Sequence, residues 1–324
     1  MTLAPTPTTL SVRVARTWLD AQGILALELV HADAGASLPP FTAGSHIDLH
    51  LECGLVRQYS LMNPPHETHR YLIAVQREAA GRGGSAWVHE HVCPGVVLRI
   101  GLPRNNFALA EHAPYSVLVG GGIGVTPLLA MAARLQALRR PWHMHYCART
   151  RAHAAGLDLL AGFCEQVRFN FDQEPGGSVL DLASVVDSAP QGSHFYCCGP
   201  APMLKAFDQA TTALPPERVH VEYFASTAPA ADPATDRAFQ LVLRKTGLTL
   251  HVPADRTVLD TLIDAGLDIN YSCREGVCGA CETSVVEGTI LHRDMVLGDA
   301  ERASGRTMFI CCSRASSEVL VLDL

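Results

Sequence analysis

The chain has 324 residues, of which 48% are hydrophobic and 18% are charged, a composition typical of a globular protein with about two or three domains. The formal net charge is −7 and no basic run occurs, which disfavours a nucleic acid as the partner. The first residues lack the basic start and apolar core of a signal peptide, and no stretch of about 18 apolar residues exists, so no transmembrane helix is expected.

The first third of the chain predicts an antiparallel β-barrel. Residues 46–51 alternate in period two and place Ile47, Leu49 and Leu51 on one face. Similar short strands, separated by Gly or Pro, are predicted at Leu10–Thr17, Ile24–Val30, Tyr71–Val75 and Val96–Ile100. Many short strands with turn signals between them favour a barrel.

One barrel strand carries the run Arg57-Gln58-Tyr59-Ser60. The Arg57 guanidinium can hold a phosphate, the Tyr59 ring can pack against a flavin, and the Ser60 hydroxyl can bond near its hydride-accepting nitrogen. By itself the pattern also suits an amphipathic strand. It resembles the flavin-binding R-x-Y-S signature of the ferredoxin reductase superfamily. The resemblance implies that all four residues bind the flavin and that Ser60 acts in catalysis.

A glycine-rich turn at 81–84 precedes a predicted helix, with Ser85 as the helix cap. Backbone N–H groups at such a turn form a cradle for a phosphate, so Gly83, Gly84 and Ser85 are predicted to bind one. A mononucleotide needs such a pocket, whereas FAD extends toward an adenosine site. Together with the preceding strand, the turn resembles the FMN-binding members of the superfamily and favours FMN over FAD.

The middle third predicts an α/β domain with a parallel sheet. Strands are predicted at 116–119, 143–147, 167–171 and 194–198, and such sheets bind ligands at the carboxyl ends of their strands. The glycine loop at 120–127 lacks the last glycine of the dinucleotide fingerprint. It matches instead the nicotinamide-domain loop of the same superfamily, although a structural turn is an alternative.

The glycine loop predicts where a nucleotide is held. Its glycines let the backbone approach a pyrophosphate, so Gly121, Gly122 and Thr126 are expected to bind that group. Thr126 is expected to cap a helix whose first residue is Pro127.

Two further groups of residues follow predicted strands. Cys198-Gly199-Pro200 matches the C-G-P motif of the superfamily, which implies that Cys198 acts beside the nicotinamide while Gly199 and Pro200 open the next helix. A plain strand-to-helix turn is the alternative. Arg149, with Arg151 two residues later, follows the second strand, where this family binds the adenosine ribose.

The choice between NADH and NADPH stays open from the residues alone. The two arginines could hold a 2′-phosphate or only steady the diphosphate. Asp172, at the end of the third strand, is predicted to contact the adenosine ribose or the adenine, with a solvated loop residue as the alternative. The family resemblance favours NADH.

A linker rich in small residues and proline is predicted at 226–236. Tyr223 and Phe224 stand just before it. Relatives place an aromatic ring near the flavin at this point, which implies a catalytic position for Phe224. Packing between domains is the alternative for this residue.

Four cysteines near the C-terminus predict a redox centre. Cys273, Cys278 and Cys281 form C-x4-C-x2-C, and Cys311 follows at a distance, which is the spacing of a plant-type [2Fe-2S] site. Structural zinc is the alternative, but a zinc ribbon pairs two C-x2-C hairpins, whereas three of these cysteines share one loop. The segment 311–315 resembles the C-x-S-R-A ending of ferredoxin-like reductase domains. In that register Cys311 is the ligand and the next cysteine is its buried neighbour.

The remaining cysteines indicate the redox compartment. Eleven cysteines less the four of the motif leave seven, at irregular spacings. Such a remainder is not a disulfide framework, so we expect free buried thiols in a reducing cytoplasm.

The order of these motifs resembles the phthalate dioxygenase reductase family, which includes vanillate demethylase reductases, over roughly residues 8–324. The resemblance implies an FMN-binding antiparallel β-barrel at 1–108 and an NAD-binding α/β domain at 109–225. After the 226–236 linker it implies a plant-type ferredoxin domain with the α+β β-grasp fold at 237–324.

The resemblance also implies a mechanism, in which NADH delivers hydride to FMN and single electrons pass to the [2Fe-2S] cluster. The cluster would then reduce a Rieske-type oxygenase that acts on an aromatic acid. We expect a monomer that binds neither nucleic acid nor membrane. The alternatives are a stand-alone NADH-dependent reductase for a quinone, a haem protein or a dehalogenase, and an electron carrier without NADH turnover.

Overall fold

The computed structural model describes residues 9–79, 81–225, 236–271 and 273–324. The chain divides into two compact units, one ending at Glu222 and one beginning at Tyr223. The predicted linker at 226–236 lies outside the described residues except for Asp236. None of the described helices is long and apolar enough to cross a membrane.

The first unit begins with a six-stranded sheet in the order β4-β3-β6-β1-β2-β5, in which all neighbours are antiparallel. The strands are β1 Thr9–Ala21, β2 Ile24–His31, β3 His46–His50, β4 Val56–Ser60, β5 Tyr71–Gln76 and β6 Val97–Gly101. Gly23, with φ 74°, allows the tight two-residue turn between β1 and β2. The predicted antiparallel architecture is confirmed, and helix α1, Gly84–His91, follows β5.

The rest of the first unit is a five-stranded parallel sheet in the order β11-β10-β7-β8-β9. Its strands are β7 Ser116–Gly121, β8 Trp142–Ala148, β9 Val167–Phe171, β10 His194–Cys198 and β11 Val219–Glu222. Its helices are α2 Val125–Ala137, α3 Leu157–Leu160, α4 Leu182–Asp187 and α5 Ala201–Thr211. The strand order reverses between β7 and β10, and ligands bind such sheets in the crevice at this reversal.

Helix α2 begins earlier than the sequence predicted. Its first residue is Val125, capped by Gly124, so the predicted cap at Thr126 and start at Pro127 are wrong. A short 3-10 turn at Gly122–Gly124 leads directly into the helix. The Thr126 hydroxyl donates to the Ile123 carbonyl at 2.9 Å within this turn instead of capping the helix.

The barrel and the parallel sheet pack on one continuous hydrophobic core. Gly44 of the barrel lies so close to the connecting segment that a Cβ there would stand 1.9 Å from the Phe107 carbonyl oxygen. The Gly156 amide donates to the Asp20 carboxylate at 2.6 Å. These contacts hold the barrel against the part of the unit that contains the parallel sheet.

The second unit contains a mixed five-stranded sheet in the order β13-β12-β18-β14-β16, in which only the β12–β18 pair is parallel among the described strands. The strands of the whole second unit are β12 Phe239–Leu243, β13 Thr249–Val252, β14 Glu282–Glu287, β15 Ile290–Leu291, β16 Thr307–Phe309, β17 Arg314–Ala315 and β18 Val319–Leu322. Strands β15 and β17 form a separate pair. Helix α6, Val258–Asp264, is capped by the Thr257 hydroxyl, and α7 spans Asp299–Ser304. The cysteine loop runs between α6 and β14.

Candidate functional site

Arg57 and the turn before α1 form a pocket suited to a phosphate. A Cβ on Gly84 would stand 2.6 Å from Nε of Arg57, so only glycine lets the guanidinium lie on this turn. Nη1 of Arg57 donates to the Val56 carbonyl at 2.8 Å, while Nη2 is buried without a hydrogen-bond partner among the described residues. A buried donor without a partner is costly, and an FMN phosphate would satisfy it.

The helix cap in this pocket differs from the prediction. Gly83, in the left-handed conformation with φ 85°, is the N-cap of α1. The Ser85 hydroxyl accepts from the Glu78 amide at 3.0 Å, so the prediction of Ser85 as the cap was wrong. Gly83 and Gly84 still supply the backbone turn that a phosphate needs.

The neighbouring strand residues Gln58 and Tyr59 have different surroundings. The Gln58 side-chain amide donates to the Asp48 carboxylate at 2.8 Å, inside the barrel. Burial raises the pKa of the Tyr59 hydroxyl well above its ordinary value. Tyr59 therefore stays neutral and offers an aromatic surface, and the flavin contact of both residues stays a prediction.

Ser60 and Glu222 join the barrel to the carboxyl edge of the parallel sheet. Ser60 ends β4 and is buried, Glu222 ends β11, and the Ser60 hydroxyl donates to the Glu222 carboxyl group. Glu222 keeps some exposed surface, but its Oε2 has none and has no partner among the described residues. Burial raises the pKa of Glu222 to about 8, so this carboxyl group holds a proton at neutral pH.

Cys198 lies beside Glu222 at the end of β10, where the two residues are paired across the parallel strands. Cys198 is fully buried, and burial raises the pKa of its thiol well above the ordinary value, with the Glu222 charge adding to this. The thiol is therefore neutral and does not serve as a thiolate nucleophile. It offers a compact, uncharged surface at the position predicted to face the nicotinamide.

The glycine loop packs directly on the C-G-P turn. A Cβ on Gly124 would stand 2.3 Å from the Cys198 carbonyl oxygen, and one on Gly121 would stand 2.6 Å from Cδ of Pro200. These glycines are required by close approach of the two loops. Thr126 is buried with its hydroxyl bonded within the turn, so its predicted pyrophosphate contact stays untested.

The adenosine-side residues lie on two adjacent loops at the same edge. Arg149 is exposed just after β8, and its carbonyl accepts from the Gln173 amide at 2.9 Å. Asp172 is exposed just after β9, and its amide donates to the Ala148 carbonyl at 3.2 Å. The structure thus brings Arg149 and Asp172 together. Their nucleotide contacts stay predictions.

Sequence reasoning missed Glu222 and the exposed aromatic Phe169. Glu222 directly precedes the Tyr223-Phe224 pair, but its partner Ser60 is on a distant strand, so no local spacing marks it. Phe169 is 39% exposed on β9, and alternation along that strand would have placed it on one face. Phe224 is 44% exposed and belongs to the second unit, so its predicted position near the flavin stays a prediction.

The four predicted ligand cysteines, Cys273, Cys278, Cys281 and Cys311, are all buried. Sulfur–sulfur contacts join Cys273 to Cys278 and Cys311, and join Cys281 to Cys311. Hydrogen bonds from the neighbouring thiols hold the pKa of Cys273 far below its ordinary value. The four sulfurs therefore lie near one another, and four neighbouring thiolates are the ligand set of a two-iron cluster.

Backbone geometry in the cysteine loop supports a cluster. The Glu275 amide donates to the Cys273 sulfur at 3.3 Å, and such hydrogen bonds tune the potential of iron–sulfur centres. Gly276 has φ 72°, and a Cβ there would stand 2.4 Å from the Cys312 sulfur. Cys312 thus packs against the loop, next to Cys311, but it is only partly buried. The predicted burial of the remaining thiols is therefore wrong for Cys312 and also for the exposed Cys53, Cys93 and Cys164.

The 2Fe-2S iron-sulfur cluster binding domain family matches residues 241–316. The chain is 48% identical to phenoxybenzoate dioxygenase subunit beta of Ectopseudomonas oleovorans over 100% of both chains. It is 44% identical to tetrachlorobenzoquinone reductase of Sphingobium chlorophenolicum over 98% of both. Among solved structures, it resembles phthalate dioxygenase reductase with a TM-score of 0.72 and 36% identity over 98% of both chains.

A type IV self-sufficient cytochrome P450 monooxygenase also contains a similar region, with a TM-score of 0.89 and 38% identity. That match covers 100% of this chain but only 43% of the monooxygenase chain, so this chain spans less than half of that protein.

These similarities decide between the alternatives for the cysteine motif, because the matched family binds [2Fe-2S] and not zinc. The three-part fold expected from the sequence is confirmed. FMN, NADH and the [2Fe-2S] cluster, the three expected cofactors, are those of the matching reductases. The chain therefore belongs to the phthalate dioxygenase reductase family of oxidoreductases, which serve as electron-transferring components of oxygenase systems.

Proposed function

We propose that this chain is the NADH-dependent reductase component of a Rieske-type aromatic-ring oxygenase or O-demethylase. The observation that carries the proposal is the Ser60–Glu222 hydrogen bond. It joins the end of the predicted flavin strand to the carboxyl edge of the sheet that holds the nucleotide loops. A flavin ring and a nicotinamide ring bound at these two ends would therefore meet beside Ser60, Cys198 and Glu222.

When bound, FMN would supply the conversion between two-electron and one-electron transfer, and the [2Fe-2S] cluster would supply one-electron transfer. The chain's residues position and protect these groups. Arg57 and the Gly83–Gly84 turn hold the phosphate. The close packing of Gly121 and Gly124 on the C-G-P turn shapes the nicotinamide side.

Glu222 can hold and transfer a proton at this edge. Its carboxyl group is protonated at neutral pH because burial raises its pKa to about 8. The Ser60 hydroxyl, bonded to it, can pass a proton between the Glu222 carboxyl group and a flavin nitrogen. The neutral Cys198 thiol adds no competing charge.

The partner is proposed to dock near the cysteine loop. Arg274 flanks Cys273, its guanidinium lies 4.7 Å from the centre of the Tyr271 ring, and its side chain is 45% exposed. Nη1 of Arg274 also donates to the Asp260 carboxylate at 3.3 Å. The Arg274 guanidinium is thus held in place and still partly exposed, and it is our candidate contact for the oxygenase. We further propose that the chain works as a monomer in the cytoplasm.

A second candidate is a reductase for a quinone or a haem protein, because a quinone reductase and a P450 monooxygenase are among the similar proteins. The test offers the purified chain, with NADH, three acceptors in parallel: a Rieske-type oxygenase component, tetrachlorobenzoquinone and cytochrome c. Fastest transfer to the oxygenase, with substrate turnover, supports the proposal. Quinone or haem reduction with no transfer to any Rieske-type oxygenase would replace it with the second candidate.

A further inference from the structure

The loops after β8 and β9 run side by side at the carboxyl edge of the parallel sheet. The Asp172 amide donates to the Ala148 carbonyl at 3.2 Å, and the Gln173 amide donates to the Arg149 carbonyl at 2.9 Å. The strand order puts these loops on the far side of β7 from Cys198 and Glu222. A dinucleotide with its nicotinamide at Cys198 therefore has its adenosine end here.

Glu174 reaches across from the second loop to the first. Its Oε1 accepts a hydrogen bond from the Arg151 backbone amide at 2.6 Å. The Glu174 carbonyl accepts from the Gly177 amide at 2.8 Å. A Cβ on Gly177 would stand 2.0 Å from the Phe171 carbonyl oxygen, so the loop closes tightly. Glu174 is half-buried, and the hydrogen bond from Arg151 holds its carboxylate at this edge.

The Arg151 side chain is directed elsewhere. Its guanidinium carbon lies 5.9 Å from the centre of the Phe169 ring. Phe169 is partly exposed and stacks with Phe171 at a centroid distance of 5.8 Å. The backbone amide of Arg151, which could otherwise bind an anion, already donates to the Glu174 carboxylate.

An acidic residue has a known role in the nucleotide sites of parallel sheets. A carboxylate near the end of the second strand hydrogen-bonds the ribose 2′-hydroxyl of NAD, whereas an arginine there accommodates the 2′-phosphate of NADP. In this chain β8 ends at Ala148 and is followed by Arg149, which suggests a phosphate site by itself. The acidic residue, Glu174, lies instead on the loop after β9.

We propose that Glu174 is the residue that makes the chain select NADH over NADPH. Its carboxylate accepts the hydrogen bond of the Arg151 amide, so this amide cannot bind a phosphate. The negative charge of the carboxylate also repels a 2′-phosphate at this edge, despite the positive charges of Arg149 and Arg151. The inference rests on the proposed NADH-dependent function and assigns one residue the nucleotide choice within that site.

The test compares Glu174→Gln with the wild-type holoprotein. Glutamine keeps an oxygen for the Arg151 amide and removes the charge. Isothermal titration with adenosine 2′,5′-bisphosphate and with 5′-AMP isolates the 2′-phosphate from turnover. We expect about tenfold tighter binding of the bisphosphate, the size of the repulsion between a phosphate and a carboxylate several ångströms apart in a solvated site. The affinity for 5′-AMP should change less than about twofold, and the NADPH-to-NADH ratio of kcat/KM should rise by the same factor as bisphosphate binding.

Two further variants sharpen the result. Glu165→Gln removes an equal charge from an exposed position before β9, and it should leave both affinities unchanged. Glu174→Ser frees the Arg151 amide and should favour the bisphosphate at least as much as glutamine does.

Equal weakening of both ligands by the Glu174 variants would show a merely structural residue and overturn the inference. So would an unchanged bisphosphate affinity, or wild-type binding of the bisphosphate as tight as that of 5′-AMP. Failure of the wild type to oxidise NADH with ferricyanide would instead overturn the proposed function, since the binding measurement does not depend on turnover.

Discussion

The cysteine loop and the flavin–nucleotide edge are assembled in different ways. Three cluster cysteines come from one short loop, and Cys311 joins them from beyond β16. The flavin–nucleotide edge instead takes Ser60 from the barrel and Glu222 from the last strand of the parallel sheet. Local spacing defines the first region, while tertiary packing defines the second. Variants should therefore disable either region while sparing the other.

The largest effect is expected from Cys311→Ser. Loss of one thiolate should remove the [2Fe-2S] signal from low-temperature EPR, because a hard hydroxyl replaces a soft ligand. NADH-dependent bleaching of the flavin should persist. Cys312→Ser is the matched control and should keep the cluster. If Cys311→Ser kept the cluster and Cys312→Ser lost it, Cys312 and not Cys311 would be the fourth ligand.

Arg57→Gln should come next. Removing the charged donor from the phosphate pocket should weaken FMN binding by about 10- to 100-fold, the range for a charge-assisted hydrogen bond. Fluorescence titration of the flavin-free protein with FMN measures this, and the EPR spectrum of the cluster should not change. Arg99→Gln, at an exposed position on β6, is the control. Equal FMN affinity in both variants would contradict the phosphate pocket.

Glu222→Gln should slow NADH-driven ferricyanide reduction by about tenfold, which is less than the roughly hundredfold loss for a group that transfers a proton directly, because Glu222 acts through Ser60. The wild-type rate should change near pH 8, where Glu222 loses its proton, and the variant should lack this change. A variant rate that kept the pH 8 transition would assign that transition to another group.

The same residue predicts the pH dependence of stability. The folded pKa of Glu222, about 8, lies above the unfolded value of about 4.3. Its contribution is therefore fully present below about pH 4 and is lost as pH rises to 8. Between pH 5 and 7 the wild type should lose roughly 2–3 kcal/mol of unfolding free energy relative to Glu222→Gln. Denaturant unfolding followed by flavin fluorescence measures this difference. If the unfolding free energies of the two proteins changed with pH in parallel, Glu222 would not have the raised pKa that its burial implies.

The smallest effect is expected at the surface of the cysteine loop. Arg274→Glu should slow electron transfer to the oxygenase by about three- to tenfold, as charge reversal at an interface rim does. Stopped-flow reduction of the oxygenase measures this, and ferricyanide reduction should be unchanged. Loss of both activities would remove Arg274 as a docking residue.

The contrast between the regions also explains what the sequence could predict. The cysteine spacing, the R-x-Y-S strand and the C-G-P turn are contiguous, and the fold follows from strand periodicity. Two predicted helix caps were wrong because the hydroxyls of Ser85 and Thr126 bond to Glu78 and Ile123, choices that depend on the folded turns.

Residues defined by long-range packing escaped prediction. Glu222 has no motif of its own, because its importance comes from burial and from Ser60. The role proposed for Glu174 likewise depends on its hydrogen bond from the amide of Arg151 on another loop. No spacing rule links either pair.

An anaerobic NADH titration of the purified protein, followed by visible absorption and low-temperature EPR, tests most directly whether electrons pass from NADH through the flavin to the cluster. We expect flavin bleaching together with a rhombic [2Fe-2S] signal. Flavin bleaching without that signal would mean that the cluster is not coupled to the flavin, and would contradict the electron-exporting function.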